Sequence, residues 1–158
     1  MADVQPIPKG REGVIPHLVV EGAAEAIDFY TEAFGAEDVA TAPSPDGSKI
    51  MHAEFRIGSS IIFLADDFPE MSEDGRGRSP KVLANSPVTI HQYTTDVDAA
   101  VEKARAAGAT VTMEPEEMFW GERYATLTDP FGHHWSFSSV VREVSEEEMA
   151  EAAKQAFS

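Results

Sequence analysis

Five histidines, His17, His52, His91, His133 and His134, fall in or beside stretches that read as strands, and Glu54 stands two residues from His52. Neutral imidazole is a common ligand for zinc, iron and nickel, and it carries protons near neutral pH. A neighbouring carboxylate adds either a further ligand or a general base. The doublet His133-His134 lies in TDPFGHHWS, after an Asp-Pro turn that the side chain of Asp129 is suited to shape. Cysteine is absent, which excludes thiolate chemistry, disulfides and Cys-based zinc sites.

The elements that position these groups come from an internal repeat. One shift carries His17 onto His91, Ala26-Ile27 onto Ala100-Val101, and Gly58 onto Gly132, with a one-residue slip near Gly35 and Gly108. Each half opens with a strand, Val14 to Val20 and Val88 to Thr94. A helix follows in each, Ala23 to Phe34 and Val97 to Ala107. In the first, Ala26, Ile27, Tyr30, Ala33 and Phe34 recur at helical spacing, and Gly35 and Gly108 stand where a left-handed cap is needed. Three strands complete each half, around 38–42, 50–57 and 60–64, then 110–113, 123–128 and 134–140. The organisation is an N-terminal extension over 1–13, a βαβββ module over 14–65, a connecting loop over 66–87, a second βαβββ module over 88–142 and a C-terminal helix over 143–158. Ser145 and Glu148 form a capping box that opens that helix.

With 28 acidic and 12 basic residues, the formal net charge is −16, which repels phosphate backbones and anionic membranes. Neither nucleic acid nor a membrane is expected as a partner, and no apolar run approaches the roughly 18–20 residues that span a bilayer. The start MADVQPIPKGREG has acid, proline and glycine where a signal peptide needs a charged start and an apolar core, so a cytoplasmic location is expected. One α+β domain is expected: two βαβββ modules laid edge to edge as a curved mixed sheet, with a concave cleft for a ligand.

Paired βαβββ units with HLVVEGAAEAIDFYTEAFGAE, MHAEFRIGSSIIFLADD and MFWGERYATLTDPFGHHWSF resemble the vicinal oxygen chelate superfamily, the glyoxalase, bleomycin-resistance protein and extradiol dioxygenase group. The likeness is nearest to its PhnB-like branch and covers roughly residues 14–142. In metal-dependent members, the resemblance implies ligands on the first and last strands of each module. Those positions fall on Ile15, Thr89, Ile62 and Ser136. None is His, Glu or Gln, so the usual metal site is expected to be absent, and no cofactor with it.

If those positions face the cleft, alternation by twos brings His17, His91, Tyr93, His134 and Ser136 to the same face, with His52, Glu54 and Tyr124 from the third strands. Trp120 is either a lid over the cleft or packing at its edge. Glu54 is the candidate base, and an ion pair with Arg56 is its plainer role. Two functions stay open. The first is a metal-free small-molecule binder. The second is a metal-dependent lyase, isomerase or dioxygenase that takes a divalent metal on shifted ligands, His17, His91 and His52 or Glu54. An interaction module without a small ligand is a third, weaker reading. Exposed module edges and the resemblance both lead to the expectation of a homodimer.

Overall fold

The structure is a computed structural model that describes residues 4–158; residues 1–3, which begin the N-terminal extension, lie outside the described residues. The first module runs β1 (His17–Val20), α1 (Ala23–Phe34), β2 (Glu37–Pro43), β3 (Ile50–Ile57) and β4 (Ser60–Asp66). The second repeats it as β5 (Thr89–Tyr93), α3 (Val97–Ala107), β6 (Thr110–Glu117), β7 (Glu122–Thr128) and β8 (His134–Val140). Between them stand a turn of 3₁₀ helix (Pro69–Met71) and the short helix α2 (Pro80–Leu83), and α4 (Glu146–Ala156) closes the chain. The expected helices are present at their expected positions. The opening strands are shorter than read, because Val14, Ile15 and Pro16 precede the ladder.

Each helix has an identifiable start. Gly22 has no side chain to cap α1, so Asp66 does it from the end of β4, accepting from the N–H groups of Gly22 at 3.0 Å and Ala23 at 2.8 Å. Asp96 caps α3 through the Ala99 N–H. Ser145 and Glu148 form the capping box expected of α4. Gly35 and Gly108 take the left-handed conformation that ends α1 and α3, with φ of 68° and 117°.

The strands form two four-stranded sheets of matching order, β1-β4-β3-β2 and β5-β8-β7-β6. Within each sheet β1 and β5 run parallel to their neighbours β4 and β8, and the remaining ladders are antiparallel. Alternation gives each sheet a covered face and an open one. Leu18, Val20, Ala53, Phe55, Ile57, Ile62 and Leu64 are covered in the first; Ala125, Leu127, Trp135 and Phe137 are covered in the second.

The covered faces point towards each other. The ring of Tyr30 on α1 lies 5.6 Å from Phe55 of the first sheet and 5.6 Å from Trp135 of the second. Ile57 and Ile62 share one cavity of about 350 Å³ with Ile90, Gln92 and Trp135. The helices and their aromatic core are thus shared by both sheets, and each sheet keeps one face open. No ladder joins β1 to β5 among the described residues. The expected α+β fold of two βαβββ modules is thus present, with one four-stranded mixed sheet to each module.

A buried carboxylate fastens the halves. Asp129, 4% exposed, accepts from Tyr30 Oη at 2.6 Å and Trp135 Nε1 at 2.9 Å through Oδ2. Through Oδ1 it accepts from the N–H groups of Phe131 and His133. The second pair is the turn-shaping role read from the Asp-Pro pair; the first pair ties that turn to α1. Burial, followed by the neighbouring Asp129 carboxylate, pushes the Tyr30 hydroxyl well above the usual phenol range.

Candidate functional site

The open face of the second sheet carries a connected polar network. His91 Nδ1 lies 2.7 Å from Ser136 Oγ, and its ring stands against Tyr93 and Tyr124. Two residues before Tyr124 on the same strand, Glu122 accepts three hydrogen bonds: from Tyr93 Oη at 2.7 Å, Ser138 Oγ at 2.8 Å and Trp120 Nε1 at 3.1 Å. The bond from Tyr93, assisted by those from Ser138 and Trp120, outweighs partial burial and holds the Glu122 carboxyl below its ordinary range. The same bond raises the Tyr93 hydroxyl above its ordinary value. Trp120, packed 5.9 Å from Tyr124, serves as a wall of this face as well as a donor. Sequence reasoning missed Glu122 among so many acids. Its signal was the period of two that links it to Tyr124 and Thr126.

On the first sheet, His17, His52 and Phe63 form a ring cluster, with His17 and His52 6.1 Å apart and His52 and Phe63 4.7 Å apart. Glu54 stands on the same face, and its partner corrects the expectation. Arg11, from the N-terminal extension, reaches back and grips both carboxylate oxygens at 2.6 Å. Arg56 instead lies 3.7 Å from Asp38. The Arg11 hydrogen bond holds the Glu54 carboxyl below its ordinary value, which weakens it as a base. No motif marked Arg11, since its partner is distant in the chain.

Two further placements differ from expectation. The expected counterpart of Ser136 was Ile62, but the ladders pair His17 with Phe63 as they pair His91 with Ser136. Ile62 points into the core at 3% exposure. The cause is a turn-length difference: Gly58-Ser59 join β3 to β4, whereas residues 129–133 join β7 to β8. Aligning on glycine therefore slips the register by one and flips the face. His134, expected in the cleft, is held at the sheet end, with Nδ1 3.0 Å from Thr128 Oγ1 and Nε2 3.1 Å from Asn85 Oδ1 of the connecting segment. His133 points to the covered side and donates Nε2–H to the Val19 carbonyl at 2.9 Å.

The connecting segment is a wall. Asp67, 6% exposed, accepts from the N–H groups of Arg78 and Ser79 through Oδ2. Lys49 donates to the Asp67 carbonyl and lies over the Phe68 ring. The segment so held encloses a cleft of about 780 Å³ against the His17 side of the first sheet.

A metal at the four family positions does not fit this donor set. Ile15 and Ile62 carry no donor atom, nor does Phe63, which stands in the place of Ile62 in the ladder, and the Ser136 hydroxyl is engaged by His91. The shifted set is divided within the chain, His17 and His52 on one open face and His91 on the other. Among the described residues no group of three or more His, Cys, Asp or Glu side chains is placed to hold a metal ion.

The paired βαβββ modules, each with one covered and one open sheet face, define the class of fold. Residues 14–137 match the family model described as the Glyoxalase/Bleomycin resistance protein/Dioxygenase superfamily, and the chain belongs to that superfamily. An uncharacterised protein of Mycobacterium bovis is 49% identical over 137 residues, 87% of this chain and 89% of that protein. One of Mycobacterium tuberculosis is likewise 49% identical, over 79% of its length. Among solved structures, a gene product of Arabidopsis thaliana is 28% identical with a TM-score of 0.61, covering 80% of this chain and 98% of that one. The genomically encoded fosfomycin resistance protein FosX of Listeria monocytogenes is 15% identical with a TM-score of 0.59, covering 85% of this chain and 95% of that one, a likeness of fold alone.

Proposed function

We propose that the chain is a metal-free, small-molecule-binding member of the superfamily whose cleft is completed by a second copy. The His17 face of one protomer closes over the His91 face of its partner. The carrying observation is that two preformed half-sites, His17–His52–Phe63 and His91–Tyr93–Tyr124–Glu122, stand on two separate sheets of one chain.

The surface supports it. The chain exposes 10106 Å², against roughly 7,800 Å² for a compact monomer of this size by the usual scaling. The excess is of the order a permanent dimer buries. It includes β2, exposed throughout, and α4, which buries no side chain. A cytoplasmic location and the PhnB-like branch belong to the same reading. The first accords with the absence, among the described residues, of a helix long and apolar enough to cross a membrane. The second rests on the motif around residues 118–137.

Light scattering should give a dimer, and a monomer overturns the proposal. His17→Ala and His91→Ala homodimers should each lose ligand affinity, whereas mixed dimers regain one intact site in two. Mixed dimers as weak as their parents would show that the two faces do not meet. One observation favours a second reading: His17 and His52 already stand side by side. His91 from the partner would then give three imidazoles for a divalent metal with an open position. Metal analysis of protein purified without a histidine tag separates the two.

A further inference from the structure

The cleft beneath the connecting segment has one cation with free hydrogen-bonding capacity. Arg78 lines it, and its guanidinium makes no hydrogen bond or ion pair with any described residue; only its backbone N–H is engaged, by Asp67. The position is built rather than incidental. Asp67 clasps the two consecutive N–H groups of Arg78 and Ser79, and Gly77, at φ +78°, lies so close that a Cβ there would meet Asp67 Oδ2 at 2.6 Å. The base of the arginine is thereby fixed over the first sheet.

Four carboxylates share the lining, and their hydrogen bonds distinguish them. Asp66 accepts from the N–H groups of Gly22, Ala23 and Ile50, and Asp67 from those of Arg78 and Ser79. Asp74 accepts from Arg76 N–H, and it stands with Glu73, both exposed, at the outer turn. The His17 ring lines the same cleft as Arg78 and stands against His52. Partial burial first, then His52 and Arg78, lower the His17 pKa, which favours its neutral ring. The remaining walls are apolar: Met51, Phe68, Met71 and Leu83.

We propose that this cleft takes an organic anion, its carboxylate or phosphate group paired with the Arg78 guanidinium beside His17 and its apolar body against Met51, Phe68, Met71 and Leu83. The inference rests on the small-molecule reading above and adds the ligand's charge. A planar guanidinium matches either group through two parallel N–H···O bonds. The net charge of −16 does not forbid this. At physiological salt the Debye length is about 8 Å, so distant acids are screened while a contact pair is not.

The test is calorimetric titration of the full-length protein with four probes of one shape: naphthoate, naphthyl phosphate, naphthamide and naphthylmethylammonium. Naphthoate or naphthyl phosphate should bind more tightly than the amide, and the stronger of the two identifies the anion. Arg78→Gln should weaken the anions by about tenfold or more, as loss of a charge-assisted pair does, and leave the amide unchanged. Arg76→Gln, with the same charge change on the same segment, should alter none of them. Equal losses for acid and amide in Arg78→Gln overturn the anion subsite. Preference for the ammonium overturns it too, but leaves the cleft standing as a small-molecule site. No binding by any probe at millimolar concentration overturns both.

Discussion

Replacing Asp129 should be the most damaging single substitution that leaves every apolar contact of the core in place. Its carboxylate accepts four hydrogen bonds, two of them from side chains with no exposure, Tyr30 and Trp135. Asp129→Ala leaves the buried O–H and indole N–H without an acceptor. A buried unsatisfied donor costs about 1–3 kcal/mol, so the two together cost about 2–6 kcal/mol. Against the roughly 5–15 kcal/mol that holds a domain together, such a loss threatens folding at physiological temperature. Asp129→Asn keeps one acceptor for the turn but turns an NH₂ towards Trp135 or the turn, and about 1–3 kcal/mol should remain lost. Urea unfolding followed by tryptophan fluorescence reads this directly, at one fixed protomer concentration, because association shifts apparent stability. A Tyr30→Phe, Asp129→Ala cycle isolates the inter-module bond, with an expected coupling of about 1.5–3 kcal/mol for a charge-assisted pair. A loss below about 1 kcal/mol in Asp129→Ala, or a coupling near zero, would refute the view that this carboxylate fastens the modules.

Three further outcomes follow from individual partners. Glu54 has a depressed folded pKa, so the stability that its pairing with Arg11 contributes is complete above the ordinary value of 4.5 and is lost as pH falls through the folded value. The stability difference between the native chain and Glu54→Gln, followed by circular dichroism, should therefore shrink on acidification, and a constant difference would contradict the pairing. Gln92 Nε2 is buried without a partner, so Gln92→Met should be neutral or stabilising by up to about 1 kcal/mol; clear destabilisation in thermal melts would reveal a partner in solution. Glu122→Gln should let Tyr93 ionise at lower pH in a spectrophotometric titration, and an unchanged profile would place Tyr93 outside the network.

Local pattern carried the fold further than it carried the site. Helix spacing, the glycine caps at 35 and 108, and the Ser145–Glu148 box are signals confined to a few neighbouring residues, and all three correspond to what the structure contains. Membership of a face was equally local. His17, His52 and Glu54 share one open face, and His91, Tyr93, Tyr124 and Ser136 share the other, as the period of two requires. The relation between the faces was not local. It depends on Tyr30 packing on both Phe55 and Trp135, contacts between residues far apart in the chain. Arg11 was hidden for the same reason. Ile62 was misplaced because a glycine was used to align two turns of different length, and in a strand one residue of error reverses a side chain.

The ladders set the surroundings of the two opening-strand histidines. Ser136 and Phe63 are equivalent by register, each opposite a histidine of the opening strand. In the second module that pairing becomes a hydrogen bond, His91 to Ser136; in the first it becomes a packed ring, Phe63 against His17 and His52. Neither arrangement is an empty ligand position. Each has its own set of contacts within the chain. The charge at these faces is handled by partners instead, Arg11 on Glu54 and three donors on Glu122. Glu54 and Glu122 are thus held as fixed anions, while Arg78 keeps its donors free. On the proposed anion site, a ligand entering the Arg78 cleft meets Asp66 and Asp67 already satisfied by backbone N–H groups and one donor fork that is not, an asymmetry that selects for an acceptor group on the ligand.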